Sequence, residues 1–225
     1  GLAPMEAAFR EIKDTLYPEL DGEEIPCVLH GRKRNEGFKT SSKVQYVARV
    51  GNFIDHGAQY HGALQILKVI LSYDYLWQNV RVKGGAYGCM SNFNRIGEGY
   101  LISYRDPNLK KTMEVYEGVV DYLKNFTVDE RDMTKYIIGT ISNKDVPRTP
   151  QMQGSISKTA YFSNVTEDML QKERNQILGA QKEDIQKLAA LVEAVLSDEQ
   201  ICVVGSETAI EKAEDVFMEV KPLIG

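Results

Sequence analysis

Histidine is nearly absent from this sequence. His30, His56 and His61 are the only imidazoles in 225 residues, and none stands in an HxxEH or HExxH pattern, so no catalytic zinc helix is written into the chain. Cys27 and His30 have a C-x-x-H spacing, but their partners would have to be His56 and His61, which lack the close pairing of structural zinc sites. Cys27, Cys89 and Cys202 are odd in number and far apart, which implies no disulfide framework and suits a reducing compartment, the cytoplasm or an organelle matrix. No apolar run approaches the ~18 residues that span a bilayer, and the N-terminus lacks a charged-then-apolar signal pattern, so no membrane partner is expected. Basic charge is not in surplus either. With 27 Lys and Arg against 32 Asp and Glu, the net charge of -5 argues against a nucleic-acid binder and favours peptide or protein partners. A G-x-S-x-G elbow and a cysteine-protease signature are missing too.

What is present fits a globular chain. A content of 43% hydrophobic and 26% charged residues suffices to bury roughly 70% of the unfolded surface around one core. The opening Gly1-Leu2-Ala3-Pro4 carries no initiator methionine, which fits a processed piece of a longer chain. Met5, Phe9, Ile12 and Leu16 recur at helical spacing and predict a short amphipathic helix over 5–17, ended by Pro18. Residues 31–42 carry Arg32, Lys33, Arg34 and Lys39 among Gly, Asn and Ser, and read as a solvated loop. On this reading residues 1–42 are an arm or interdomain remnant, and 43–225 form a single domain.

Within that domain, period-two alternation of Val44, Tyr46, Ala48 and Val50 predicts a half-buried strand over 43–50. Residues 58–76 are too apolar for a surface helix and predict one packed across a sheet. Strands follow near 86–93 and 100–104. Asp106 and Pro107 start a helix over 107–125, and Thr127 with Glu130 suggests a capping box for the next. Helical patterns recur at 150–162, 166–178 and 182–196, then an apolar strand at 201–204 and a helix from near Ser206. Strands and helices are thus segregated, which predicts an α+β two-layer sandwich rather than a doubly wound parallel sheet.

The most informative stretch runs from Leu76 to Gly88, where a helix end passes through Gly84 and Gly85 into a strand. In one account the glycines merely cap the helix, with Tyr87 packing and Arg81 solvated. A phosphate-cradling account fits less well, because a phosphate loop runs from strand through glycines to helix and needs a following Lys-Ser/Thr. In a third account the glycines let a peptide backbone approach, and Arg81 and Tyr87 donate to a carbonyl oxygen as an oxyanion hole.

The run Arg81-Val82-Lys83-Gly84-Gly85-Ala86-Tyr87-Gly88, followed by Ser103-Tyr104-Arg105-Asp106-Pro107-Asn108-Leu109 and Ile137-Ile138-Gly139-Thr140-Ile141, resembles the C-terminal region of presequence proteases. These belong to the insulinase and pitrilysin class of inverted zincins, and the similarity covers roughly residues 43–205. The resemblance implies an α+β domain of the mitochondrial-processing-peptidase type, with a mostly antiparallel sheet and helices on one face. It also implies a larger enzyme whose halves close around unstructured peptides, with zinc bound in another domain, the N-terminal half. Arg81 and Tyr87 match the arginine and tyrosine that the family's last domain contributes across the chamber, holding the substrate backbone and stabilising the oxyanion. Gly84 and Gly85 match the turn that aims these two at the substrate. This chain alone is then expected to hold no zinc and to hydrolyse nothing. The rival readings are a non-catalytic scaffold of the same fold and a free-standing peptide-binding module.

Overall fold

Alternating burial along the strands sets the architecture. In the computed structural model, which describes residues 3–15 and 34–223, the chain divides into two units, residues 1–32 and 33–225. Of the first, helix α1 (Ala3–Thr15) is described; Met5, Phe9 and Ile12 all stay exposed on it. Leu16 and the end of the helix expected over 5–17 lie outside the described residues, as do Cys27 and His30.

The second unit is built on one six-stranded sheet. Its strands are β1 (Glu36–Thr40), β2 (Gln45–Asn52), β3 (Gly88–Phe93), β4 (Glu98–Asp106), β5 (Gln200–Ser206) and β6 (Glu219–Pro222), in the spatial order β3-β4-β2-β5-β1-β6. The pairs β3/β4, β4/β2 and β2/β5 are antiparallel, while β1 runs parallel to both β5 and β6. The loop expected over 31–42 is therefore interrupted by a strand, which pairs within the same sheet as β2. Alternation could not reveal β1, because Phe38 is its one large apolar residue; hydrogen bonding on both edges holds it. The strand expected at 201–204 is β5, which lies between β2 and β1.

One side of the sheet is dry. Val47, Leu101, Phe93, Ile201 and Val203 are buried there with the neighbouring polar residues Arg49, Ser91 and Ser103. Their alternates Tyr46, Met90 and Cys202 are exposed, and Tyr100, Ile102 and Tyr104 are half-buried. The strands contact α2 (Ala63–Ile70), α3 (Lys110–Lys124), α7 (Lys182–Ser197) and the short α8 (Glu207–Glu211). Leu64, Ile66, Leu67 and Ile70 of α2, Tyr116 and Leu123 of α3, and Ile185, Val192 and Val195 of α7 are almost completely buried. Each such side chain contributes about 1.5–3 kcal/mol by leaving water. The result is a mixed α+β fold with a mostly antiparallel sheet. Among the described residues no helix is long and apolar enough to cross a membrane.

Two helix starts differ from the sequence reading. Asp106 does accept backbone and side-chain donors, from the Asn108 N–H at 2.8 Å and the Thr112 hydroxyl at 2.7 Å, but the helix itself opens three residues after Pro107. Helix α4 (Glu130–Lys144) is capped by Asp129, whose carboxylate accepts from the Asp132 N–H at 2.7 Å, rather than by a Thr127 box. Helix α5 (Pro150–Phe162) buries none of its residues. Helix α6 (Glu167–Leu178) returns the chain to the core, and α8 (Glu207–Glu211) follows β5 with Ser206 as its cap.

The return is fixed by charge. Glu173 of α6 is 3% exposed, and its carboxylate receives Arg95 from the β3–β4 turn, Lys144 from the end of α4, and the Tyr60 hydroxyl at 2.9 Å. Burial, with the Glu173 charge, pushes the Tyr60 phenol well above its ordinary value. Removing one member of a buried ionic group strands its partners, at a cost of several kcal/mol. Glu173→Ala is expected to lower stability by about 3 kcal/mol, seen as a lower urea midpoint at unchanged slope. Arg174→Ala, which breaks an exposed pair with Asp145, should move the midpoint far less.

Candidate functional site

Helix α2 does not stop at Ile70. It continues as π turns through Leu71–Tyr75 and Trp77–Val82, with bonds reaching back five residues, as from Leu76 to Leu71 and from Lys83 to Gln78. The Asn79 side-chain amide donates to the Tyr75 carbonyl at 2.8 Å, taking up an acceptor that an α turn would use. Tyr75 is itself held by its hydroxyl on the Val115 carbonyl of α3, 2.9 Å away. Such widening is rare and clusters at functional sites.

The wide helix closes on the paired glycines. The Gly85 N–H bonds the Arg81 carbonyl at 2.9 Å and the Ala86 N–H bonds the Val80 carbonyl at 3.1 Å, a closure one residue wider than the usual Schellman pattern. At Gly84 a Cβ would press into the Val80 carbonyl oxygen, and Gly85 holds φ +81°, so each glycine is required for a different reason. The Asn108 amide donates to the Gly84 carbonyl at 2.6 Å, and the Tyr87 N–H reaches the Arg105 carbonyl at 3.2 Å. The turn is thereby tied to the segment that ends β4.

Arg81 and Tyr87 leave this turn on either side of the glycines. The Arg81 guanidinium lies 3.9 Å from the centre of the Trp77 ring, one helical turn earlier. Tyr87 is 60% exposed, and its ring stands 5.6 Å from that of Tyr104 and 5.6 Å from the Arg105 guanidinium. Tyr104 can lie there because its cross-strand partner Gly88 has no side chain. No hydrogen bond or ring contact joins Arg81 to Tyr87, and among the described residues neither the guanidinium nor the phenol has a hydrogen-bond partner. The turn therefore offers two sets of free donors on an open lip, suited to carbonyl or carboxylate oxygens. Sequence reasoning missed Trp77 and Arg105. The four-residue spacing from Trp77 to Arg81 was the available signal for the first, and nothing local marked the second.

Beneath the lip, burial pushes the Cys89 thiol up to about 11, against the pull of Arg81 and with a push from Asp106. It is a neutral thiol at physiological pH. The two described histidines are engaged: His56 Nε2 pairs with Asp198 at 2.7 Å, and His61 Nδ1 accepts from the Ala63 N–H at 3.1 Å. Among the described residues no three His, Cys, Asp or Glu side chains cluster to hold a metal, so these residues do not fit a zinc site.

The fold is that of the insulinase class of peptidases. The peptidase M16 inactive domain from Pseudomonas fluorescens superposes with a TM-score of 0.59 over 100% of this chain and 52% of its own, at 17% identity. The chain belongs to the presequence-protease C-terminal domain family, whose model, described as PreP C-terminal domain, matches residues 35–207. Protein HypA of Clostridium perfringens is 48% identical over 85% of the chain, and presequence protease 1, chloroplastic/mitochondrial, of Arabidopsis thaliana is 34% identical over 81%. The matched regions span only 20% and 16% of those two proteins.

Two tests follow from this geometry. Gly84→Ala should destabilise the chain by about 1–3 kcal/mol through steric overlap, and Gly85→Ala by about 1–2 kcal/mol through its left-handed backbone, both read by urea denaturation. For Cys89, the unfolded thiol ionises near 9 while the folded one holds its proton to about 11. Its contribution to stability is thus complete below pH 9 and lost as pH rises through about 11. At pH 8, alkylation of Cys89 by iodoacetamide should be at least about tenfold slower in the native protein than in urea, read by peptide mass spectrometry.

Proposed function

We propose that this chain is the substrate-holding, non-zinc part of a zinc-dependent peptidase that degrades unstructured peptides inside a closed chamber. The observation that carries the reading is the pair of unengaged donors, Arg81 and Tyr87, on either side of the Gly84–Gly85 turn. In this reading the helices and sheet form two layers of a sandwich, and the exposed side of the sheet, with Tyr46, Met90, Tyr100, Ile102 and Tyr104, faces the peptide. Arg81 and Tyr87 donate to a substrate carbonyl oxygen and hold it as negative charge builds there, while Gly84 and Gly85 keep the backbone low enough for the peptide to approach. Removing one such donor costs turnover by roughly 10²–10³-fold. Zinc would be held elsewhere in the longer protein, in its N-terminal half. A closed chamber limits substrates to what fits inside it, which excludes folded proteins. The Arabidopsis relative is named for the chloroplast and mitochondrion, which supports the organelle alternative of the expected reducing setting.

The rival reading is a scaffold of the same fold, favoured by the description of the Pseudomonas neighbour as an inactive domain. A scaffold has no use for a phenol and a guanidinium left without partners. In the complete native protein, Tyr87→Phe is expected to lower kcat by roughly a hundredfold with a smaller change in KM. Unchanged turnover for both Tyr87→Phe and Arg81→Gln would leave the scaffold as the better account.

A further inference from the structure

Strand β4 carries an irregularity at its end. Its register with β2 passes from Val47 opposite Ser103 to Gln45 opposite Asp106, so Tyr104 and Arg105 together oppose Tyr46. Simple alternation from buried Leu101 and Ser103 would bury Arg105 and turn Asp106 outward. The extra residue reverses this. Asp106 becomes fully buried, with both its oxygens engaged, and Arg105 is exposed. Arg105 adopts φ +49°, a left-handed conformation that an L-residue enters only when its surroundings compensate.

The side chain delivered by this bulge has no acidic partner among the described residues. Among the described residues its guanidinium makes no hydrogen bond or ion pair, and it lies 5.6 Å from the Tyr87 ring. Arg81 and Lys83 lie in the turn that the Tyr87–Arg105 hydrogen bond brings alongside, and neither forms an ion pair among the described residues; Lys83 instead donates to the Asn79 amide oxygen. A lip of three unneutralised cations thus sits on a chain of net charge -5. A planar guanidinium with free forked donors is matched by a carboxylate.

We propose that Arg105 is a carboxylate-binding residue beside Tyr87, which receives a carboxylate of the bound peptide, from an acidic side chain or from the C-terminus. This rests on the reading of Arg81 and Tyr87 as the peptide-holding pair. It adds a preference that the pair itself does not supply, since carbonyl recognition is blind to sequence. Were Arg105 only a prop for the Tyr87 ring, its loss would weaken all peptides alike.

The test uses the complete native protein, stripped of metal by chelation so that no peptide is cut. Its probes are labelled unstructured peptides, alike except for one Glu or Gln at successive positions, each with a free or amidated C-terminus. Fluorescence anisotropy should show a preference of about fivefold for the carboxylate at one position, the scale of an exposed ion pair. The preference should shrink as salt rises. A gain from Glu identifies a side-chain carboxylate, and a gain from the free terminus identifies the C-terminal one. Arg105→Gln should erase the preference and leave neutral peptides within about twofold, while Arg105→Lys keeps part of it, as a point charge without the fork. The proposal is overturned if wild type shows no preference, if the preference survives Arg105→Gln, or if that variant weakens every peptide equally. Turnover after metal is restored separates the two readings. Discrimination without cleavage retains the subsite and removes the peptidase, cleavage without discrimination does the reverse, and no peptide binding removes both.

Discussion

The hydrogen bond from the Tyr87 N–H to the Arg105 carbonyl, 3.2 Å long, joins the end of a helix to the end of a strand. Its net free energy is about 1 kcal/mol, like that of any backbone bond. Its geometric consequence is larger. It starts the antiparallel pairing of β3 with β4 at the point where the glycine turn ends, so Arg81, Tyr87, Tyr104 and Arg105 can belong to one lip rather than to separate loops. The Asn108 amide on the Gly84 carbonyl holds the same two segments from the other side. Between these two bonds the turn has little freedom left, which is what a group of donors needs if it is to meet a ligand without first being ordered.

Much of the fold was legible because burial imposes a period. The strand read over 43–50 appears at Gln45–Asn52, and the helix read over 150–162 appears at Pro150–Phe162. What escaped the sequence was whatever lacks a period of its own. β1 and β6 are short and nearly devoid of large apolar residues, and lateral hydrogen bonding rather than a buried face holds them in place. The helix read over 58–76 begins later and runs on to Val82, because its second half is widened by side-chain contacts from Tyr75 and Asn79 that no hydrophobic spacing encodes. At the site, Gly84, Gly85, Arg81 and Tyr87 were legible through the motif they form. Arg105 was not, since its exposure depends on a register shift against β2, a partner some sixty residues away in sequence.

The polar groups of the molecule divide into two kinds. Glu173 gathers three donors, Asp106 two and Asp198 two, and each of these carboxylates secures one segment to another. Arg49 is a guanidinium of this structural kind: it is buried, paired with Glu117 and bonded to the Leu196 carbonyl at 2.6 Å. Arg81 and Arg105 receive aromatic faces instead of anions. An aromatic face orients a guanidinium without occupying its N–H donors, which leaves them hydrated and ready to exchange water for a ligand.

Both guanidiniums owe their placement to one-residue departures from regular structure. In the helix, bonds to the fifth preceding residue shift the phase of everything after Ile70, and so set the direction in which Arg81 leaves the chain. In the sheet, the extra residue opposite Tyr46 turns Arg105 out of the core. The alternatives are an α turn and an unbroken ladder; the widened helix keeps Leu76 and Val80 in the core, and the bulge buries Asp106 in place of Arg105. A left-handed arginine and a widened helix each cost free energy relative to those alternatives, and they occur within one hydrogen bond of each other. Irregularity concentrated where the donors are free, in a unit otherwise built on regular alternation, is what separates a site from a surface.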